Sequence, residues 1–448
     1  MKATLAGPIS GGRHGFPQTA TPVDLDAAGY VEEEFAFAGE ATSYRYTAPP
    51  RTDGEWSVEP DRTAPYTSRM LVRRPHNVQA FNGTVVVEWL NVTAGVDVDV
   101  DFGFFAEEVL RQGYAWVGIT AQEVAVTSTG GGQFGDAAVG LKTWDPQRYG
   151  DLDHPGDAFA YDIFGQAGAL LRTDDGQTAL GGGSPEMILA DGDSQSAFRL
   201  ATYRNAIDPL ASVFDGFLIH SRDGGAAPLD GRSFEVEAEE PPTTRLRTDA
   251  PAPVLQVITE SDLFLLRPDA PFPDARQPDG DRIRTWEVAG TAHSDATYLR
   301  RLNQQGTRQF EGFFDLSEVI PFANDGPQRF VVRAALHALR AWVVGRPPPH
   351  AEPLQVVDGT IARDEHGNAL GGVRTPPVDV PAATHTGEGT PLGSTTPFTA
   401  DQLRDLYGSR DAYLSAYRAA TDAAVAAGFI LAADTAELNA EAEAVTFE

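Results

Sequence analysis

Cysteine is absent from this chain of 448 residues. Its absence excludes a disulfide framework, thiolate metal sites and a cysteine nucleophile. Lysine is nearly absent too: apart from Lys2 and Lys142, every basic side chain other than histidine is arginine. There are 34 basic residues against 64 acidic ones, a formal net charge of -30. A surface of that sign repels phosphate backbones and anionic lipid, so no nucleic-acid partner is expected. No apolar run approaches the ~18 residues that a membrane-spanning helix needs, so no membrane span is expected. Residues 1–15 carry one lysine and lack the apolar core of a secretory leader, which makes the cytoplasm the expected compartment. Nothing in the sequence sets an oligomeric state.

What is present reads as globular. Hydrophobic residues make up 42% and aromatics 9%, enough to bury a core rather than remain disordered. At roughly 100–200 residues per domain, the length fits two or three domains or one large one with insertions. The first 80 residues alternate short β-like runs (44–46, 68–72) with turns, as an antiparallel lead-in would. Apolar strand runs then follow at 83–90, 115–120, 187–190, 213–219, 253–258 and 282–287. Helical spacing appears at 104–112, 161–172, 197–206 and 330–344, with Gly113 placed as a helix C-cap. Strands alternating with helices imply an α/β fold: a mostly parallel central sheet flanked by helices, with the antiparallel lead-in at its start. Residues 129–135 form a glycine-rich loop, and residues 222–252 a charged, proline-rich excursion. Residues 345–400 are Pro/Gly/Thr-rich, and 401–446 read as two or three Ala-rich helices. The expected organisation is therefore a catalytic domain over 1–345 and a C-terminal extension, 346–448, packed upon it.

The motif with the most chemistry is Gly192-Asp193-Ser194-Gln195-Ser196, set between a strand and a helix. A serine in such a turn is lifted above the sheet, and small neighbours are required because strand and helix approach closely there. Ser196 stands where the pattern has glycine, and it is still small. Ser194 is the expected nucleophile, with the Gln195 backbone N–H facing the reacting oxygen. A serine nucleophile needs a base and an acid, in the chain order Ser, acid, His. Of nine histidines, His293 lies in a small-residue loop just after the last strand and is the expected base. His220 is second, and His337 reads as a helix-face residue. The acid should follow the strand at 253–258, where Glu260 and Asp262 both qualify; Asp262 is favoured slightly, with Asp223 third. A second oxyanion donor is expected from the loop at residues 90–92, with Val92 and Asn91 as candidates; Asn91 could donate through its side chain or hold the loop.

Other motifs are set aside. Asp97, Asp99, Asp101 and Glu108 imitate a calcium loop, but Phe102 occupies its sharp-turn glycine position. Residues 135–142 approach a phosphate loop with the lysine displaced. His154-Pro-Gly-Asp157 has no metal-ligand partner at helical spacing. No metal and no cofactor is expected.

At these residues the chain resembles a large, mostly bacterial family of alpha/beta-hydrolase-domain proteins with carboxylesterase-like sequences. The likeness runs through Val87-Glu-Trp-Leu-Asn-Val-Thr93, His154-Pro-Gly-Asp157, Gly192-Asp-Ser-Gln-Ser-Ala197, Trp286-Glu-Val-Ala-Gly-Thr-Ala-His293 and Gly371-Gly-Val-Arg-Thr-Pro376. It implies the alpha/beta-hydrolase fold and serine-hydrolase chemistry, carries Ser194 and His293 over directly, and implies that the C-terminal extension covers the site. The expected activity is hydrolysis of a small-molecule carboxylic ester through an acyl-enzyme. Acyl transfer by the same residues, or a non-catalytic binding protein on this scaffold, are the rival readings.

Overall fold

A computed structural model describes residues 3–131, 135–232 and 239–448. Residues 132–134 of the expected glycine-rich loop and 233–238 of the charged excursion lie outside the described residues.

Nine strands form one sheet: β1 (Thr4–Ala6), β2 (Tyr30–Tyr46), β3 (Val58–Pro75), β4 (Thr84–Trp89), β5 (Ala115–Ile119), β6 (Met187–Asp193), β7 (Gly216–His220), β8 (Val254–Thr259) and β9 (Ile283–Val288). Their spatial order is β1-β2-β3-β5-β4-β6-β7-β8-β9. From β5 to β9 every pairing is parallel, whereas β1, β2, β3 and β5 pair antiparallel. The expected lead-in is longer than its sequence suggested: β2 and β3 make a 17- and 18-residue hairpin. Charged residues interrupt both strands, so only the fragments around 44–46 and 68–72 look strand-like in isolation.

The inner strands are buried on both faces, which is why they read as unbroken apolar runs. Successive side chains point to opposite faces. Val86 therefore packs with Leu189, Leu218 and Trp286 in one core, beside the helices Val100–Gln112 and Gln328–Val343. Val85 and Val87 pack with Ile188, Ala190 and Ile219 in the other, beside the helices Ala160–Leu170 and Gln195–Thr202. Gly113 ends the first of these helices with φ 75°, and its N–H caps the carbonyls of Val109 and Leu110.

One helix, Ala296–Gln309, has no counterpart among the helical stretches expected from the sequence. Polar and charged residues dominate it, and its apolar signal is confined to a narrow face around Leu299 and Leu302. Downstream of residue 345 the chain adds a parallel bridge from Val373 to Val288 at the edge of β9. The helices Ala400–Tyr407, Arg410–Ala427 and Thr435–Glu443 then send Leu403, Tyr413, Tyr417 and Leu438 into buried positions. No helix of the described residues is long and apolar enough to cross a membrane.

Candidate active site

Strand β6 ends at Asp193 and the helix Gln195–Thr202 begins two residues on, so Ser194 alone makes the turn. It does so at φ 55°, ψ -119°. A non-glycine residue with positive φ is held there at a cost in backbone energy. Close packing explains the small neighbours: a Cβ on Gly192 would stand 3.1 Å from the Ser196 Cβ and 3.1 Å from the Leu200 Cδ1. The Ser194 N–H donates to the His220 carbonyl (3.0 Å), tying the turn to β7.

Two hydrogen bonds join three of the residues singled out from the sequence. Ser194 Oγ lies 2.8 Å from His293 Nε2. His293 Nδ1 lies 2.8 Å from Asp262 Oδ1. Asp262 is fully buried, and its other oxygen accepts the Thr259 N–H (2.7 Å). Glu260, two positions earlier, faces away from the histidine. Its Oε1 accepts the Gly290 N–H (2.6 Å), and its Oε2 accepts from the Gly387 N–H (3.1 Å) and from Arg363 (2.8 Å). Burial raises the Glu260 carboxyl, and Arg363 and the two N–H donors offset that in part. Asp223 sits after β7. One oxygen accepts the Gly225 N–H (2.6 Å), and the other is buried without a partner. Burial is the main reason its carboxyl is pushed up to about 6.

Three other histidines are engaged elsewhere. His220 Nδ1 contacts Asp101 (2.6 Å). His337 Nδ1 contacts Glu108 (2.8 Å). His154 Nε2 contacts the Ala121 carbonyl (2.9 Å).

The donors expected at residues 90–92 narrow to one. The Leu90 N–H donates to Ile119 O (3.3 Å) and the Asn91 N–H to Val98 O (3.0 Å), which leaves the Val92 N–H. The Asn91 side chain donates to the Asp193 carbonyl (3.1 Å), so it holds this loop against the serine turn. Gln195 opens its helix, and its backbone N–H has no carbonyl partner within that helix. Its side chain donates to Gln122 (2.7 Å).

The acidic run resembling a calcium loop does not converge on one point. Asp97 pairs with Arg69 (2.8 Å), Asp99 with Arg73, Asp101 with His220, and Glu108 with Arg111 and His337.

A cavity of about 500 Å³ opens over Ser194 and His293. Val100, Leu299, Leu316, Val319 and Leu392 supply its apolar wall, while Asn91, Thr93, Asp193, Gln195, Asp223, Arg267 and Ser294 contribute polar lining. Three contributors were not anticipated from the sequence. Ser261 Oγ accepts the His293 N–H (3.2 Å) and donates to the Gly387 carbonyl (2.7 Å), so it positions the histidine loop. Arg363 anchors Glu260 from the C-terminal segment. The helix Ala296–Gln309 supplies Tyr298 and Leu299; its only local sequence signal is Asp295, whose side chain caps the Tyr298 N–H (2.9 Å).

The architecture and the strand–serine–helix turn are those of an alpha/beta hydrolase. The sequence itself matches the alpha/beta hydrolase domain family over residues 5–440, and the chain belongs to that family. No curated protein matches it. Similar solved structures include an esterase from Rhizomucor miehei, at 12% identity, with 72% of this chain and 92% of that one covered and a TM-score of 0.33. A serine hydrolase without a lid from Xanthomonas campestris is also 12% identical, over 61% and 92% of the two chains, with a TM-score of 0.30. A thermostable esterase from Pseudomonas putida is 12% identical over 54% and 67%, with a TM-score of 0.27.

Proposed function

We propose that the protein is a serine hydrolase of carboxylic esters, with Ser194 as nucleophile, His293 as general base and acid, and Asp262 as the acid that orients the imidazole. The observation that carries this reading is the unbroken chain Ser194 Oγ–His293 Nε2 (2.8 Å), His293 Nδ1–Asp262 Oδ1 (2.8 Å) at the floor of a cavity.

In this scheme the Ser194 oxygen attacks the ester carbonyl carbon as its proton passes to His293 Nε2. Asp262 holds Nδ1–H, sets the tautomer and stabilises the imidazolium. The tetrahedral oxyanion takes hydrogen bonds from the Gln195 and Val92 N–H groups. Collapse breaks the bond to the alkoxy oxygen, which leaves with the proton from Nε2 as an alcohol. Water, deprotonated by the same nitrogen, then releases the acid and restores Ser194. Neither step calls for a metal or cofactor. Glu260 has no share in the chemistry because three donors already occupy its carboxylate. The apolar wall suits an ester with a compact hydrocarbon group on one side of the carbonyl. Residues 346–448 serve as an extension of the catalytic domain, with Pro391 and Leu392 on the cavity rim.

Labelling with a serine-reactive fluorophosphonate, followed by peptide mapping, tests the reading. The adduct is expected on Ser194 alone; an adduct on another serine, or hydrolysis of activated short-chain esters undiminished in Ser194→Ala, would overturn it.

A further inference from the structure

Behind the serine turn lies a second cluster that this chemistry does not use. Asp101 in the first turn of the helix Val100–Gln112, Asp193 at the end of β6 and His220 at the end of β7 converge there. The β6–β7 register sets Asp193 opposite His220. His220 Nδ1 lies 2.6 Å from Asp101 Oδ1 and 3.4 Å from Asp193 Oδ2. One nitrogen or oxygen from each of the three lies within 4.8 Å of the others, and all three residues are buried.

Asp191 adds an independent observation. It lies two residues before Asp193 on β6 and so shares its face of the sheet. It is 1% exposed, no N–H or hydroxyl donates to either of its oxygens, and the Asp101 carboxyl lies within hydrogen-bonding reach of it. Asp101 Oδ2 and Asp193 Oδ2 also accept no hydrogen bond, His220 Nδ1 standing 3.4 Å from the latter. Glu88, in the same region, shows how a buried carboxylate is normally satisfied. It accepts the Asp101 and Phe102 N–H groups (3.1 and 3.0 Å) and the Trp116 indole N–H (2.9 Å).

Several other buried acids are neutralised by arginine. Arg69 holds Glu34 and Asp97, and Arg73 holds Asp99. Among the described residues no arginine or lysine pairs with Asp101, Asp191 or Asp193; the one cationic candidate is His220. A carboxylate taken out of water without a donor or a countercharge is strongly disfavoured. The cluster therefore lacks positive charge.

We propose that Asp101, Asp193 and His220, with the Asp191 carboxylate beside Asp101, hold one divalent transition-metal ion as a structural centre behind the serine turn. One imidazole nitrogen with carboxylate oxygens is a mixed donor set that suits Mn²⁺ or Zn²⁺ better than Ca²⁺, which favours oxygen alone. Binding through Nδ1 puts the ring proton on Nε2. The Gln328 side-chain nitrogen lies 3.1 Å from Nε2, and the amide oxygen is buried without a partner; turning that amide over brings the oxygen to Nε2 as the acceptor that holds this tautomer. The ion would touch no substrate. It would hold Asp193, whose carbonyl takes the Asn91 side chain and whose next residue is Ser194. The proposal stands apart from the ester chemistry, because the ion has no part in the reaction.

The test is metal analysis of the full-length chain, expressed with Mn²⁺ and Zn²⁺ supplied and purified in the presence of a chelator. About one tightly held ion per chain is expected, and it should be lost from Asp191→Asn and His220→Gln. Wild-type protein unfolded with chelator and refolded should show a higher Tm when Mn²⁺ or Zn²⁺ is returned, and Asp191→Asn should not. A wild-type chain with metal content far below one, no change in Tm on refolding with either ion, and an infrared band of a protonated carboxyl that Asp191→Asn removes would overturn the proposal in favour of shared protons. None of these measurements involves ester turnover, so failure here is distinguishable from failure of the hydrolase reading.

Discussion

Two turns follow parallel strands of the same sheet, and they distribute chemistry differently. The turn after β6 commits a single residue, Ser194, to a positive φ and presents one hydroxyl. The turn after β8 presents two carboxylates, Glu260 and Asp262, on one short helix with similar burial. At the first turn backbone geometry singles the residue out. At the second the neighbours do. Three donors saturate Glu260, while Asp262 accepts one backbone N–H and keeps an oxygen for His293. A carboxylate's role is thus set by which donors reach it first.

The largest effect expected from this contrast is at the first turn. Ser194→Ala should lower kcat on an activated short-chain ester by about 10^4–10^6. Wild-type turnover in that variant would dissolve the contrast at its source.

At the second turn the two acids should part company. Asp262→Asn should cost about 10^4 in kcat, because the amide no longer sets the His293 tautomer. Glu260→Gln should leave kcat within about tenfold of wild type while lowering stability by about 2–4 kcal/mol in urea titration, since Arg363 loses its buried partner. A deep loss of kcat in Glu260→Gln with a shallow one in Asp262→Asn would reverse the assignment.

The smallest effect sharpens the comparison with a third acid, Asp223, which has one donor and one bare oxygen. Its carboxyl is raised to about 6 from an ordinary 3.8, so the folded chain holds that proton more tightly than the unfolded one. Its contribution to stability is therefore greatest at low pH and falls as pH rises through the window from 3.8 to about 6. Asp223→Asn should gain on wild type across that window by at most about 3 kcal/mol. Urea titrations of both proteins at either end of the window measure the difference. A difference that does not change with pH would mean that the carboxylate finds a partner in solution.

The parallel strands were legible because burial on both faces leaves an uninterrupted apolar run such as Val85-Val86-Val87. Ser194 and His293 were legible because small residues crowd both loops for steric reasons that local sequence records. The choice between Glu260 and Asp262 was not, since it depends on Gly290, Gly387 and Arg363, up to 127 positions away. The β2–β3 hairpin was legible only in fragments, because its buried charges find their partners through tertiary contacts such as Arg69 with Glu34. The helix Ala296–Gln309 was missed because its apolar face is narrow.

Ser261 and Glu260 both reach Gly387, and Ser294 donates its N–H to Pro391 (2.8 Å). Synthesis runs from the N-terminus, so the serine, the histidine and their acid leave the ribosome well before the segment that braces them. The nascent chain can hold Ser194, Asp262 and His293 while the brace is still unmade. Chain order therefore places Pro391 and Leu392, which complete the cavity wall, after every group that residues 387–392 brace. Activity should accordingly appear late, near completion of the polypeptide, rather than when His293 emerges.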